Sequence, residues 1–207
     1  MDMPPKNLSE LKSLIFATNN EHKVIEVRSI LEGRFKLLSL AEAGINRDID
    51  EPYDTIEENA CEKARVIHDL TKESCFAEDT GLEVEALNGE PGVKSARYSG
   101  DERNFEKNID KLLNNLKNTR NRSAQFKTVI CLILNEKQYT FEGICKGTII
   151  ATRKGRSGFG YDPVFVPDGS DKTFAEMSPA EKNSLSHRKK AIEQLSDFLK
   201  LYYQQSP

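Results

Sequence analysis

The sequence predicts an α/β protein: a mixed, twisted β-sheet with flanking helices, arranged as two lobes around a central substrate cleft. Three observations predict this class. Short apolar runs alternate with helical patterns early in the chain, two long strand patterns follow one another near residue 135, and a helical pattern closes the chain. With 207 residues, of which 37% are hydrophobic, we expect one domain over 1–207, in which residues 1–12 form a flexible N-terminal extension.

The first predicted elements are a strand, a helix and a second strand. Residues 14–17 form a short apolar run that ends at a polar loop, as a buried strand does. From 23 to 31, apolar residues recur every three or four positions, which predicts a helix. We expect Gly33 to end this helix and the run 35–38 to begin the next strand.

The next segment predicts a second helix and two short strands. Thr55 and Glu58 have the spacing of a capping box at the start of the helix. Its apolar stripe consists of Ile56, Ala60, Ala64 and Ile67. A strand over 75–77 follows, the polar stretch 78–81 interrupts it, and the alternating run 82–87 predicts another strand.

The second half of the chain predicts a helix, a hairpin and a closing helix. The first helix is marked by Phe105, Ile109, Leu112, Leu113 and Leu116. Residues 124–134 and 139–150 resemble two strands of an antiparallel hairpin. Ser178 and Glu181 form a second capping box, with Pro179 at the first helical position. The buried face of the closing helix consists of Ile192, Leu195, Phe198 and Leu199.

The loop between the first strand and the first helix is a candidate phosphate site. It consists of Thr18, Asn19, Asn20, Glu21, His22 and Lys23. Unpaired N–H groups at a helix start, together with a hydroxyl, amides and a lysine, attract phosphate oxygens. The loop lacks the glycines and the Gly-Lys-Ser/Thr ending of a P-loop. The alternative is an asparagine-rich turn with an exposed lysine.

The acidic stretch 78–81 is a candidate magnesium site. It follows an apolar strand, at the edge where α/β sheets place their ligands. Adjacent acids on a strand point to opposite faces, so we expect one carboxylate to face the cleft and the other to face a structural partner. A second acidic run, 48–52, offers Glu51 as a partner for Asp79, because Mg²⁺ is bound through one or two carboxylates plus substrate phosphates. The alternatives are an acidic turn and a solvated loop.

A glycine-aromatic stretch is a candidate base-binding wall. Its sequence is Gly158-Phe159-Gly160-Tyr161-Asp162-Pro163. The glycines free the backbone on both sides of Phe159, so that its ring could lie against a planar ligand. Tyr161 and Asp162 would supply polar edges, and the proline favours a strand over 164–166. The alternative is a glycine-rich turn with a core phenylalanine.

The polar stretch before the closing helix adds further candidates. Lys182 and Ser186 share one face of a helix, whereas His187 and Arg188 point elsewhere unless the helix ends near Leu185. A break there would aim an imidazole and a guanidinium at one ligand, which is enough to recognise the carbonyl acceptors of a base. The alternative is a basic helix surface.

Charge, cysteine and hydropathy patterns exclude several classes of function. The net charge of −3 lacks the basic excess of a non-specific DNA-binding protein, so we expect no nucleic-acid partner. The four cysteines form no C-x-x-C pair, which favours free thiols in a reducing compartment. No apolar run reaches the roughly 20 residues that span a bilayer, and the first residues lack a signal-peptide pattern. We therefore expect a cytoplasmic protein without a membrane partner.

Six stretches in order resemble the Ham1/RdgB family, the inosine triphosphate pyrophosphatases also called XTP/dITP diphosphatases. They are 17–23, 55–60, 77–82, 91–100, 158–163 and 186–188. The resemblance covers almost the whole chain, from Leu14 to Leu199. Many members have Thr/Ser-Gly-Asn at 18–20 and Asp-Asp-Ser-Gly at 78–81, so the departures here are chemically mild.

The resemblance implies a homodimer that hydrolyses ITP, dITP or XTP to the monophosphate and pyrophosphate with Mg²⁺, and so cleanses the nucleotide pool. Asp79 matches the residue that serves as general base and metal ligand in the family, and Glu51 matches the second carboxylate that binds the metal. The loop 18–23 would hold the phosphates, and Thr80 would lie on the substrate. The base and sugar pocket would consist of Phe159, Gly160, Tyr161, Asp162, Lys182, His187 and Arg188. Donors from His187 and Arg188 that face the 6-carbonyl of the purine would exclude adenine.

Two other interpretations remain open from the sequence. A Maf-like nucleotide pyrophosphatase is related in fold and acts on pyrimidine or modified nucleotides, although the stretches 158–163 and 186–188 argue against it. A non-catalytic nucleotide-binding module would bind ITP without releasing pyrophosphate.

Overall fold

The computed structural model describes residues 13–31 and 35–205, and within them the chain forms one seven-stranded mixed sheet with flanking helices. The strands are β1 (Ser13–Phe16), β2 (Lys36–Ser39), β3 (Cys75–Val84), β4 (Pro91–Gly92), β5 (Ser123–Leu134), β6 (Lys137–Ile149) and β7 (Phe165–Pro167). The helices are α1 (Glu21–Leu31), α2 (Ile56–Thr71), α3 (Phe105–Asn115), α4 (Pro179–Leu185) and α5 (His187–Gln205). The predicted α/β class is confirmed, and the two-lobe arrangement stays a prediction. The predicted extension 1–12 and the helix end at Gly33 lie outside the described residues.

The sheet combines a parallel half with an antiparallel half. Its order is β2-β1-β3-β5-β6-β7, and β4 pairs with β3 outside this path. The strand β1 runs parallel to β2 and β3, because helices connect these strands. The strands β5 and β6 form the predicted antiparallel hairpin, whose turn at Asn135 and Glu136 has φ angles of 49° and 62°. Positive φ at both turn residues matches the twist of the paired strands.

The predicted interruption at 78–81 is wrong, since β3 runs without a break through this stretch. Its neighbour β5 pairs with it residue by residue, including Glu78 with Ile130 and Thr80 with Thr128. The long partner strand satisfies the backbone groups that a turn would otherwise use. The predicted strand 82–87 is therefore the end of β3 followed by a short 3₁₀ turn at Glu85–Leu87.

Helices cover both faces of the sheet. Along β5, Val129 and Cys131 pack toward α2, whereas Ile130 and Leu132 pack toward α1 and α5. This alternation places hydrophobic side chains on both faces, as a fully covered strand requires. A third apolar cluster lies between the far ends of β3, β5 and β6 and α3. The four cysteines are free and buried.

The helix ends decide where the polar side chains point. Thr55 caps α2 by accepting a hydrogen bond from the Glu58 N–H, but the Glu58 carboxylate accepts from the Thr55 hydroxyl, so only half of the predicted capping box forms. The capping box at the start of α4 is complete, as predicted. The helix does break after Leu185, a possibility that the sequence left open, because Ser186 is extended (ψ 135°) and α5 begins at the next residue. None of the described helices has the length and apolar character to cross a bilayer.

Candidate active site

A cavity of about 360 Å³ lies where the end of β1, the middle of β3, the start of α3 and the α4–α5 junction meet. It brings together most of the predicted site residues: Thr18, Asn19, Asn20, Lys23, Glu51, Asp79, Thr80, Phe159, Gly160, Tyr161, Asp162, Lys182, His187 and Arg188. Glu21 and His22 do not line this cavity and are exposed on the first turn of α1. Segments more than 150 residues apart in sequence thus contribute to one concave site.

The loop after β1 forms the helix start that the sequence predicted. The Asn20 side chain accepts a hydrogen bond from the Lys23 N–H at 3.3 Å, and so caps α1. The Thr18 hydroxyl accepts from the Asn20 N–H at 3.1 Å. The Lys23 ammonium points into the cavity, where it lies 3.1 Å from Glu78 Oε1. A helix start and a cation therefore face the same end of the cavity.

Lys63 lies between the two carboxylates predicted as metal ligands. Its ammonium donates to Glu51 Oε1 at 2.6 Å and to Asp79 Oδ1 at 3.1 Å. Burial lowers the pKa of Lys63, but the two carboxylates outweigh burial and raise it, so the ammonium stays charged. Burial also raises the pKa of Asp79. The charges of Lys63 and Lys23 lower this pKa, but burial outweighs them. Asp79 is therefore a stronger proton acceptor than an exposed aspartate.

The chemistry of these two carboxylates fits a magnesium ion. Glu51 in the loop before α2 and Asp79 in β3 both line the cavity, and both accept from the Lys63 ammonium. Within 13–31 and 35–205, no group of three or more His, Cys, Asp or Glu side chains is placed to hold a metal. This pair matches the sparse protein ligation of Mg²⁺, in which substrate phosphates complete the shell.

Glu78 points away from Asp79 and pairs with two cations, as the alternation of a strand requires. Its carboxylate accepts from Arg188 Nε at 3.0 and 2.9 Å, and lies 3.1 Å from the Lys23 ammonium. Burial raises the pKa of Glu78, but Arg188 and Lys23 outweigh burial and hold it at about 2. Glu78 therefore stays ionised and fixes both cations at the cavity wall.

Glu26 on α1 joins the helix start to the α4–α5 junction. It accepts from the Lys182 ammonium at 2.9 Å and from Arg188 Nη1. Burial raises the pKa of Glu26, but the charges of Arg188 and Lys182 outweigh burial, so the pKa lies below its ordinary value. Arg188 is thus held between two carboxylates, Glu26 and Glu78, and cannot swing freely.

The glycine-aromatic stretch is both a turn and a cavity wall. The Asp162 carboxylate accepts from the Phe159 N–H at 2.9 Å and from the Lys182 ammonium at 2.8 Å, which fixes the turn. Gly158 has φ +80°, and a Cβ there would lie 2.1 Å from Asp162 Oδ2, so only glycine fits. The Tyr161 hydroxyl donates to the Ser95 carbonyl at 3.0 Å.

Phe159 presents its ring to several partners. The Lys182 ammonium lies 5.1 Å and the Arg188 guanidinium carbon 5.7 Å from the ring centroid, within the range of cation–π attraction. The His22 imidazole stacks on the same side chain at 5.3 Å with an angle of 17° between the rings. His22 thus contacts the site through Phe159, although it does not line the cavity.

Two buried nitrogens at the start of α5 have no hydrogen-bond partner among the described residues. They are His187 Nδ1 and Arg188 Nη2, on side chains that line the cavity. Burial lowers the pKa of His187 well below its usual value, and the charges of Arg188 and Lys182 add to this effect. The imidazole is therefore neutral, and it stacks on Phe126 at 4.7 Å with an angle of 14° between the rings. Unpaired buried polar atoms are costly, so we expect a bound ligand or an ordered water to pair with these two nitrogens.

Lys63 and Glu26 were not among the residues that sequence reasoning selected. Lys63 lies three residues after Ala60 and one before Ala64, on the buried stripe of α2, and a charged residue on such a stripe signals a buried partner. Glu26 follows Lys23 by one helical turn on α1, so both can face the same cavity. Helical spacing could have found each residue, but it could not have found its partners.

Comparison with known proteins identifies close relatives over nearly the full length of the chain. A dITP/XTP pyrophosphatase of Flavobacterium psychrophilum is 52% identical over 187 residues, which are 90% of this chain and 98% of the relative. A dITP/XTP pyrophosphatase of Caldanaerobacter subterraneus is 45% identical over 190 residues, 90% of this chain and 95% of the relative.

Solved structures show the same architecture. The Ham1 protein of Staphylococcus aureus superposes with a TM-score of 0.84 at 39% identity, over 91% of this chain and 98% of that one. A HAM1 protein of Coxiella burnetii gives a TM-score of 0.85 at 37% identity, over 92% and 99% of the two chains. The sequence profile of the Ham1 family matches residues 14–198. The chain belongs to the Ham1 family.

Proposed function

We propose that this chain is a nucleoside triphosphate pyrophosphohydrolase that converts dITP, XTP and ITP to the monophosphate and pyrophosphate, with Mg²⁺ as cofactor. The relatives at about half identity are dITP/XTP pyrophosphatases, which supports the reaction type. The family resemblance implies a homodimer, and the sequence predicts a cytoplasmic protein that binds neither nucleic acid nor membranes. We include these expectations in the proposal. Light scattering on the purified chain tests the dimer.

The observation that carries the proposal is the pair of unpaired nitrogens at the α5 start. The N–H groups of Arg188 Nη2 can donate to a carbonyl oxygen, and the neutral imidazole of His187 can donate in one of its tautomers. Hypoxanthine and xanthine carry a carbonyl oxygen at position 6, whereas adenine carries an amino group there. Adenine would leave a buried donor opposite another donor, which costs binding energy.

The same cavity also has the groups that phosphate hydrolysis needs. Lys23 and the start of α1 offer donors to the phosphate oxygens and stabilise the charge that builds in the transition state. Asp79 accepts a proton from the attacking water as the phosphoanhydride bond to the leaving pyrophosphate breaks. Lys63 holds the carboxylates of Asp79 and Glu51 in place for this step.

Glu51 and Asp79 are the residues that would hold Mg²⁺. When bound, the ion neutralises phosphate charge and orients the phosphates for in-line displacement. The chain's own cations, Lys23 and Lys63, assist on the same side of the cavity.

Pyrophosphate release from a panel of dITP, XTP, dATP and dTTP, with and without Mg²⁺, tests the proposal. We expect Mg²⁺-dependent release that is fastest for dITP and XTP. A preference for dTTP would instead favour a Maf-like activity. Saturable binding of dITP without any release would favour a binding module, and either result would overturn the proposal.

A further inference from the structure

A second aromatic ring, that of Phe105, lines the same cavity and contacts the glycine-aromatic stretch. Phe105 is the first residue of α3 and lines the cavity together with Phe159. The two ring centroids lie 6.3 Å apart with an angle of 48° between the rings. Phe105 is 39% exposed and belongs to none of the three hydrophobic clusters. Its ring contacts Phe159 and the cavity and does not fill a hydrophobic core.

An ion-pair cluster joins the segments that carry the two aromatic side chains. Arg153 lies in the segment that leads into the glycine-aromatic stretch, and it contacts the first turns of α3. Its guanidinium lies 3.0 Å from Glu106 Oε2, donates to the Glu106 carbonyl at 3.0 Å and donates to Asp110 Oδ1 at 2.7 Å. Glu106 directly follows Phe105, so this cluster joins the start of α3 to the segment that leads to Phe159.

The two walls differ in how firmly they are held. Asp162 fixes the backbone of Phe159, and Lys182 lies against its ring. Phe105 follows the N-cap Asn104, and residues 99–104 before it are all exposed. Stacking carbon layers lie about 3.5 Å apart, so a planar ring between two others needs about 7 Å. In the structure the two rings are in tilted contact, with centroids 6.3 Å apart, so a base enters between them only when the exposed Phe105 side chain rotates away from Phe159.

We propose that Phe105 is the second wall of the base pocket, and that the purine binds between it and Phe159. The proposal rests on the function proposed above and adds a substrate-binding residue that lies outside the six stretches shared with the family. Stacking on an aromatic ring tolerates any purine, because every base has a π face. Phe105 therefore contributes affinity for the base, whereas Arg188 contributes the choice between a 6-carbonyl and a 6-amino group.

Steady-state kinetics of Phe105→Leu and Phe105→Tyr provide the first test. Loss of stacking on one aromatic ring predicts a rise of about fivefold to thirtyfold in KM for dITP in Phe105→Leu, with kcat within about twofold of wild type. Phe105→Tyr keeps the ring and should keep the wild-type KM. The ratio of kcat/KM for dITP to that for dATP should stay unchanged in both. Leu201→Ala, on the exposed and remote end of α5, is the control for a surface substitution.

Fluorescence provides a test that does not depend on turnover. The chain contains no tryptophan, so Phe105→Trp introduces a single fluorophore at the proposed wall. Titration with inosine monophosphate should change its emission saturably, because the base stacks on the indole. Leu201→Trp should give no saturable change.

The outcomes separate this inference from the proposed function. If wild type releases pyrophosphate from dITP while Phe105→Leu keeps the wild-type KM, the aromatic wall is refuted and the function stands. An absence of saturable change in Phe105→Trp emission, with wild type binding the same nucleotide, refutes the wall as well. If wild type itself releases no pyrophosphate, the proposed function fails first.

Discussion

Replacing Glu78 by glutamine removes the carboxylate that neutralises Arg188 and Lys23. Glu78 is fully buried, and its pKa of about 2 lies well below the ordinary value of 4.5. A difference of this size corresponds to about 3 kcal/mol of folding free energy at neutral pH. Removing one partner of a buried ion pair costs about 3–5 kcal/mol in other proteins, which agrees with this magnitude. We therefore expect Glu78→Gln to lower the free energy of unfolding by about 3 kcal/mol.

The pH dependence gives this prediction its sign. A carboxylate whose pKa falls on folding stabilises the folded state fully above its unfolded value, here 4.5. That stabilisation is lost as the pH falls from 4.5 toward about 2, where the folded group takes up its proton. The gap in stability between wild type and Glu78→Gln should therefore narrow below pH 4.5. Equilibrium urea unfolding at pH 7, 4.5 and 3.5, without divalent cations, measures it.

Glu193→Gln is the matched control, because Glu193 pairs with Lys189 on the exposed surface of α5 at 3.5 Å. Exposed pairs contribute at most about 1 kcal/mol, so this variant should unfold close to wild type at each pH. The reasoning is refuted if Glu78→Gln costs less than about 1 kcal/mol at pH 7. It is equally refuted if the cost does not change with pH.

Three further predictions concern catalysis and stability. Asp79→Asn should nearly abolish pyrophosphate release from dITP while inosine monophosphate still binds by calorimetry; turnover at the wild-type rate would remove Asp79 as the base. Lys63→Met should lower kcat at least about tenfold, because the cation that holds Glu51 and Asp79 is gone; an unchanged kcat in the folded variant would contradict this role. Below about pH 6.5 the unfolded imidazole of His187 takes up a proton, whereas the folded one stays neutral. The free energy of unfolding should therefore decrease by up to about 1.4 kcal/mol for each pH unit below this value. His187→Gln should make this decrease smaller in urea unfolding. An identical slope in the variant would count against a neutral buried imidazole.

Local sequence patterns predicted most of the fold, because helix caps and hairpins depend on residues that are close together in the sequence. The capping residues at 178 and 181 depend on backbone groups within one helical turn. The hairpin of β5 and β6 follows from two alternating runs and a short polar turn. These elements needed no information from distant parts of the chain.

Long-range pairing explains where sequence reasoning was wrong or incomplete. The stretch 78–81 resembles a turn by composition, but β5 pairs with every residue of it, and Arg188 neutralises Glu78 from 110 positions away. Likewise, Lys63 is recognisable on the buried stripe of α2, but nothing near it in sequence indicates that Glu51 and Asp79 are its partners. Propensity rules describe the neighbours of a residue along the chain, whereas these contacts are set by the sheet order.

The central claim is that the unpaired donors at the start of α5 select a 6-carbonyl purine. The most direct test is the ratio of kcat/KM for dITP to kcat/KM for dATP, measured in wild type and in Arg188→Lys. This variant keeps the buried positive charge beside Glu78 but removes Nη2. Because both substrates are measured on the same preparation, partial unfolding cancels from the ratio. Loss of a hydrogen bond from a charged donor predicts a fall in the ratio of at least about tenfold, while equal losses on both substrates would contradict the claim.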